Sequence, residues 1–72
     1  MEKRKKVVII EDDEHILKVY EIKLAKEGVE VKVFRDGPSG LAGIAAEKPD
    51  LVLLDLMIPG HDGFWVLEEL KK

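Results

Sequence analysis

Several residue types and patterns are missing from this sequence, and each absence excludes a class of protein. There is no cysteine, so disulfide bonds and thiolate metal sites are excluded, and a reducing cytoplasm is the compartment that fits. No apolar run approaches the roughly 20 residues of a membrane-spanning helix, and nothing resembles a signal peptide. The net charge is −3, which gives no reason to expect nucleic-acid binding. We therefore expect one soluble domain, or part of one.

Two runs of four consecutive aliphatic residues predict buried strands. Val7–Ile10 and Leu51–Leu54 show no alternation, which is typical of strands covered on both faces in a parallel sheet. Residues 29–34 instead alternate apolar and charged side chains, as expected of an edge strand with one wet face. Pro59 cannot donate to a strand ladder, so the third strand should end near Met57, where the chain turns above the sheet edge.

Helical patterns follow each predicted strand. The first helix should run from about Glu14 to Lys26, capped by Asp13 and stopped at Gly28. The second covers about 38–47, and the third begins at 62–63. The predicted inward-facing residues are Ile16, Leu17, Tyr20 and Leu24 in the first helix, Leu41, Ile44 and Ala45 in the second, and Phe64, Leu67 and Leu70 in the third. The order βαβαβα predicts an α/β fold, with a parallel sheet and helices on both faces.

Carboxylates follow two of the predicted buried strands. Asp12 and Asp13 come after the first strand, and Asp55 comes directly after the third. Open α/β sheets bind ligands at the carboxyl ends of their strands, and the three acids converge if these strands are neighbours. Such close like charges need a compensating cation. Mg²⁺ is the simple candidate, because it accepts carboxylates, a carbonyl and waters, and it recruits phosphate oxygens. The Met57 carbonyl is well placed to contribute.

Asp55 is the candidate nucleophile of this group. It stands alone at the end of its strand, so we expect it to keep a free oxygen. A carboxylate of this kind can attack a phosphoryl group in line and form an acyl phosphate, with Mg²⁺ neutralising charge. The alternative is that the acids only cap helices and solvate the sheet edge. That alternative is strongest for Asp13, because this residue is also the predicted helix cap.

The sequence resembles the receiver domain of two-component response regulators, the CheY-like family. The resemblance covers essentially all 72 residues. The matching segments are Val7–Glu14, the Asp36–Gly37 turn, Pro49–Gly60 and Asp62–Gly63. It implies a CheY-like, flavodoxin-like sheet with strand order 2-1-3, and a phosphoryl group passed to Asp55 by a histidine kinase.

The resemblance also implies roles for residues around Asp55. Asp12 and Asp13 would hold Mg²⁺ together with the Met57 carbonyl, and Pro59 and Gly63 would shape the neighbouring loop. If the resemblance holds for these roles, the chain is expected to be a phosphoacceptor signalling domain rather than an enzyme.

The chain departs from the family after its third βα unit. The family has five units, so residues 1–72 are expected to be a partial receiver domain without strands four and five. The family's switch hydroxyl has no counterpart, since the sequence has no threonine and its one serine, Ser39, lies elsewhere. The family's lysine and switch aromatic belong to the fifth strand and are also missing. Strand three should then be an exposed apolar edge, through which the chain self-associates.

Two other interpretations stay open. One is a truncated or engineered receiver fragment that no longer signals and self-associates through strand three. The other is an Mg²⁺-dependent phosphatase or phosphotransferase with an aspartyl nucleophile. Enzymes of that kind commonly place a second aspartate two residues after the first, and here that position is Met57.

Overall fold

In the part of the chain that the structure describes, the sheet has three parallel strands. A computed structural model describes residues 4–55 and 63–72. The described elements are β1 Lys6–Ile10, α1 Glu14–Lys26, β2 Glu30–Phe34, α2 Gly37–Glu47, β3 Leu51–Leu54 and α3 Gly63–Leu70. The strand order is β2-β1-β3, with both neighbours parallel to β1. The predicted α/β class, the βαβαβα order and the strand order are confirmed.

The central strand β1 carries the core on both of its faces. Val8 and Ile10 belong to a buried cluster with residues of α2 and α3, whereas Val7 and Ile9 belong to a second cluster with α1. All four side chains are at most 4% exposed, and burial of each stabilises the fold by about 1.5–3 kcal/mol. The unbroken aliphatic run is thus explained by helices on both faces, as predicted.

The aliphatic run Leu51–Leu54 predicted burial equal to that of Val7–Ile10, which is wrong, whereas the expectation that strand three is an exposed edge agrees with the described sheet. Leu51 is 50% exposed, and the rest of β3 is half-buried. The reason is positional, because within residues 4–55 and 63–72 no strand pairs with the outer edge of β3. β2 is the other edge of the described sheet, in agreement with its alternating sequence.

Helix α1 begins and ends as predicted. Gly28 has a φ of +72°, a left-handed conformation that suits glycine directly after a helix. Of the four residues of α1 that were predicted to face inward, two do so. Leu17 is buried and Leu24 packs beside it, but Ile16 and Tyr20 are 41% and 37% exposed. The helix covers β1 and β2, and no described element covers the flank that carries these two residues.

Helix α2 approaches the sheet through its glycines. A Cβ at Gly43 would overlap the ring of Phe34, so the backbone can lie this close only without a side chain. Leu41 and Ile44 pack against the core, as predicted. Ala45 is exposed rather than buried, because the glycine face, not the alanine face, is turned to the strands.

Helix α3 is rotated relative to the prediction. Val66 is fully buried and Trp65 packs against the same cluster, while Leu67 and Leu70 are each 40% exposed. The side chain of Phe64 lies outside the described residues. The apolar residues of this short helix occupy most of its surface, so their spacing did not indicate which side faces the core. None of the described helices is long and apolar enough to span a membrane.

Candidate functional site

The carboxyl ends of β1 and β3 hold two carboxylates in fixed positions. The ladder of hydrogen bonds continues one residue past each strand. The amide of Glu11 donates to the carbonyl of Phe34 at 3.0 Å, and the amide of Asp55 donates to the carbonyl of Ile10 at 2.9 Å. Glu11 and Asp55 therefore extend adjacent strands, and hydrogen bonds to the neighbouring strand hold the backbone of each residue in position.

Three acidic side chains meet at this edge. Carboxylate oxygens of Glu11, Asp12 and Asp55 all lie within 4.8 Å of one another. Their exposure is graded, since Glu11 is 8% exposed, Asp55 is half-buried and Asp12 is exposed. The cluster contains Asp12 and Asp55, two of the four residues predicted as metal ligands. It also contains Glu11, which the sequence reasoning did not include.

The buried position of Glu11 disfavours its charged form. Burial raises the pKa of Glu11 above its ordinary value of 4.5, and hydrogen bonding to Asp55 and the charges of Asp55 and Asp12 raise it further. The amide of Asp13 acts in the opposite direction, because it donates to Glu11 Oε2 at 3.2 Å and so stabilises the carboxylate. A cation bound among these oxygens would remove the conflict of like charges.

Asp13 has a different position from the one predicted for a metal ligand. Its Oδ1 accepts hydrogen bonds from the amides of His15 at 2.8 Å and Ile16 at 3.3 Å, which is the geometry of a helix N-cap. Asp13 is not a member of the three-acid cluster. The sequence already contained a signal that could have favoured Glu11, because Asp13 was predicted as the cap of α1. The side chain of a helix cap binds backbone amides of the helix, so the two residues directly after the strand, Glu11 and Asp12, are the better candidates for ligands.

The other predicted ligand, the carbonyl of Met57, lies outside the described residues. The same holds for Pro59, which was expected to shape the loop beside the site. Gly63 is the first residue of α3. The roles of these three residues stay predictions.

The donor set fits a hard divalent cation. Glu11, Asp12 and Asp55 offer only oxygen atoms, and carboxylate oxygens are the ligands that Mg²⁺ and Ca²⁺ prefer. A cavity of about 260 Å³ lies against Glu11 and Asp55. Its other lining residues are Ile9, Ile10, Tyr20, Leu53 and Leu54. Since a water molecule occupies about 30 Å³, the cavity has room for a hydrated ion and a small phosphoryl group.

Known proteins share this architecture over nearly the whole chain. A family model described as "Response regulator receiver domain" matches residues 7–72. The BeF3-activated N-terminal receiver domain of Klebsiella pneumoniae RstA is 40% identical, with a TM-score of 0.87, over 93% of this chain and 57% of its own. A CheY-like receiver domain protein from Methanospirillum hungatei is 34% identical, with a TM-score of 0.87, over 93% of this chain and 54% of its own.

A response regulator from Chloroflexus aurantiacus is 27% identical, with a TM-score of 0.91, over 97% of this chain and 57% of its own. This chain thus spans a little over half the length of the structures that it matches. The family match, the CheY-like strand order and the acids at the carboxyl edge agree with one another. The chain belongs to the receiver-domain family of two-component response regulators.

Proposed function

We propose that this chain is an Mg²⁺-dependent phosphoacceptor whose acceptor residue is Asp55 and whose donor is a histidine kinase. The observation that carries the proposal is the cluster of Glu11, Asp12 and Asp55, whose carboxylate oxygens lie within 4.8 Å at the edge where α/β sheets bind ligands. Membership of the receiver family supports it, since receiver domains in general bind Mg²⁺ at an acidic pocket and interact with histidine kinases.

The graded exposure of the cluster suggests a division of roles. Glu11 is the most buried of the three and would bind the ion from below, whereas the exposed Asp12 would bind it from the solvent side. Asp55 is half-buried and lines the cavity, so one of its oxygens can face a donor. The ion supplies positive charge that offsets the charge of the transferred group.

The transfer itself needs no further reactant. An oxygen of Asp55 forms a bond to phosphorus while the bond from phosphorus to the imidazole nitrogen of the donor breaks. The leaving imidazole keeps the electron pair of that bond, and the product is an acyl phosphate on Asp55. The hydrogen bond from the amide of Asp55 to the Ile10 carbonyl, at 2.9 Å, holds the residue in place during the attack.

The proposal classifies the chain as a signalling acceptor and not as an enzyme. An aspartyl phosphatase would need a general acid near its nucleophile, and the position two residues after Asp55 is Met57. We also propose a cytoplasmic site of action, because a chain without cysteine fits a reducing compartment. We expect Asp13, which caps α1, to contribute little to metal binding, and the participation of the Met57 carbonyl stays a prediction.

Phosphorylation by a small donor tests the function directly. The purified chain is incubated with acetyl phosphate and Mg²⁺, and intact-protein mass spectrometry follows the addition of one phosphoryl group. We expect wild type to be modified, Asp55→Asn to be unmodified, and chelation of Mg²⁺ to reduce the rate at least about 100-fold, as expected for loss of a charge-stabilising group.

Asp36→Asn is the matched control for this experiment. Asp36 caps α2 by accepting from the amide of Ser39 at 2.8 Å, and asparagine caps a helix equally well. This variant should therefore be modified at the wild-type rate. An Asp55→Asn protein that still gains the phosphoryl group would contradict the assignment of the acceptor.

A second proposal concerns assembly. We propose that the chain self-associates through β3, because this strand is the edge of the described sheet and its Leu51 is half exposed. An apolar edge strand offers unpaired backbone groups and side chains to a second copy. Self-association is compatible with phosphoacceptor activity, since the acids lie at the end of β3 and not along its edge.

A further inference from the structure

We propose that Arg35 binds the anionic phosphodonor beside Asp55, and that Glu14 holds the guanidinium group in place until the donor arrives. This inference rests on the phosphoacceptor function proposed above and names a specificity residue for it. The donors concerned are phosphoryl compounds that carry negative charge, such as acyl phosphates and phosphoimidazoles.

Arg35 lies in the same row of the sheet as two of the acids. It directly follows β2, as Glu11 follows β1 and Asp55 follows β3. The last residues of the three strands are paired with one another, and backbone hydrogen bonds extend both ladders by one residue. Because neighbouring strands are about 4.8 Å apart, the backbone of Arg35 lies about 10 Å from that of Asp55. An arginine side chain can span most of that distance.

Arg35 differs in charge from the other two residues that directly follow a described strand, Glu11 and Asp55. Among residues 4–55 and 63–72, it is the only lysine or arginine that directly follows a strand. The three carboxylates at this edge of the sheet repel an anionic donor, and one divalent ion offsets only part of their charge. A guanidinium group that reaches a donor from the neighbouring strand end would supply further positive charge, and its planar fork of N–H donors matches the oxygens of a phosphoryl group.

Glu14 positions this guanidinium group and still leaves N–H groups of Arg35 that can bind a ligand. Arg35 Nη1 and Glu14 Oε1 form an ion pair that ties the end of β2 to the first turn of α1. The two side chains are 56% and 60% exposed, and ion pairs at such exposure contribute little to stability. The arginine keeps other N–H donors for a ligand, and exchange of the carboxylate for a phosphoryl group costs little.

Arg35 takes no proton in the reaction that follows. With acetyl phosphate as donor, the oxygen of Asp55 bonds to phosphorus, the bond from phosphorus to the acetyl oxygen breaks, and acetate leaves with the electron pair. Arg35 would therefore act on donor binding more than on the chemical step.

The test is the dependence of the phosphorylation rate on acetyl phosphate concentration, measured by mass spectrometry with Mg²⁺ in excess. For Arg35→Ala we expect the half-saturating donor concentration to rise about fivefold with little change in the maximal rate, as for loss of one exposed charge-assisted contact. Arg35→Lys should restore part of the effect. Lys32→Ala, which removes the same charge from an exposed position on β2, the strand that Arg35 follows, should behave as wild type.

Mg²⁺ affinity, measured by calorimetry, separates donor binding from a structural role. Removal of a positive charge near three acids should leave Mg²⁺ binding unchanged or slightly tighter, whereas a loosened site would bind Mg²⁺ more weakly. An unchanged half-saturating concentration in Arg35→Ala, or an equal increase in Lys32→Ala, would overturn this inference alone. Failure of the wild-type chain to accept phosphoryl would overturn the proposed function, and this inference with it.

Discussion

At the scale of single residues, the three carboxylates of the site differ in their exposure to solvent. Glu11 is nearly buried, and its pKa is raised by burial and by the neighbouring Asp55 and Asp12. The folded protein therefore holds the proton of Glu11 more tightly than the unfolded chain does, where the ordinary value of 4.5 applies. Between 4.5 and the raised pKa, folding takes up a proton, so the free energy of unfolding falls as pH rises.

Because the raised pKa of Glu11 lowers the free energy of unfolding as pH rises, replacement of Glu11 should have a pH-dependent effect on stability. In the absence of divalent ions, Glu11→Gln should be more stable than wild type at about pH 8, and the difference should shrink as the pH falls to 4.5, the ordinary value, because wild type regains its proton below its raised pKa. Mg²⁺ should reverse the order by stabilising wild type more strongly. Urea unfolding at both pH values measures this, with Glu21→Gln, an exposed acid of α1, as the control. A variant less stable than wild type at about pH 8 without metal would contradict the raised pKa.

At the scale of secondary-structure elements, one acid serves a helix and not the cluster. Asp13 satisfies the amides of His15 and Ile16 at the start of α1, groups that the helix itself cannot pair. Glu11 and Asp12 precede this cap and extend from the end of β1. These roles differ because the chain leaves β1 before α1 begins. Glu11 and Asp12 lie in this connection and are available to the site, whereas Asp13 stands directly before the helix and caps it.

The second prediction separates these roles by substitution. Asp13→Ala should lower the free energy of unfolding by about 1 kcal/mol, while Asp13→Asn should keep the stability of wild type because asparagine also caps helices. Neither change should weaken Mg²⁺ binding more than about twofold, whereas Asp12→Asn should weaken it by about tenfold or more. Unfolding curves and calorimetric titration provide the two measurements. A large loss of Mg²⁺ affinity in Asp13→Asn would show that Asp13 is a ligand after all.

At the scale of the whole molecule, apolar side chains of the described residues are exposed on two surfaces, β3 and the uncovered flank of α1. These side chains include Ile16, Val19, Tyr20 and Leu51.

The third prediction concerns self-association through β3. Sedimentation velocity should show wild type associating as its concentration rises, and Leu51→Lys should shift it to the monomer, because a charge on an edge strand opposes pairing. Leu51 is half exposed, so lysine there should not disturb the core. Ile22→Lys makes the same change at an exposed position of α1 and should leave association unchanged. A wild-type chain that stays monomeric at all concentrations would rule out the proposal.

Much of the fold was predictable because the sequence signals were local. The unbroken run Val7–Ile10 predicted the central strand, and Asp13 and Gly28 predicted the ends of α1. The errors concern which face of an element is buried. Leu67 and Leu70 of α3 and Tyr20 of α1 were expected inside, yet each is at least 37% exposed. Burial depends on which neighbours cover a face, and hydrophobic spacing within one helix does not contain that information.

The site divides in the same way between sequence and tertiary structure. By itself the sequence determined that acids follow two buried strands and that Asp55 stands alone at the end of β3, because residue order alone settles what comes after a strand. The cap role of Asp13 could have favoured Glu11 from the sequence, but only the tertiary structure showed that carboxylate oxygens of Glu11, Asp12 and Asp55 lie within 4.8 Å of one another. It also placed Arg35 in their row. The physical reason is that strand register and helix capping set the distances between side chains that are far apart in the chain.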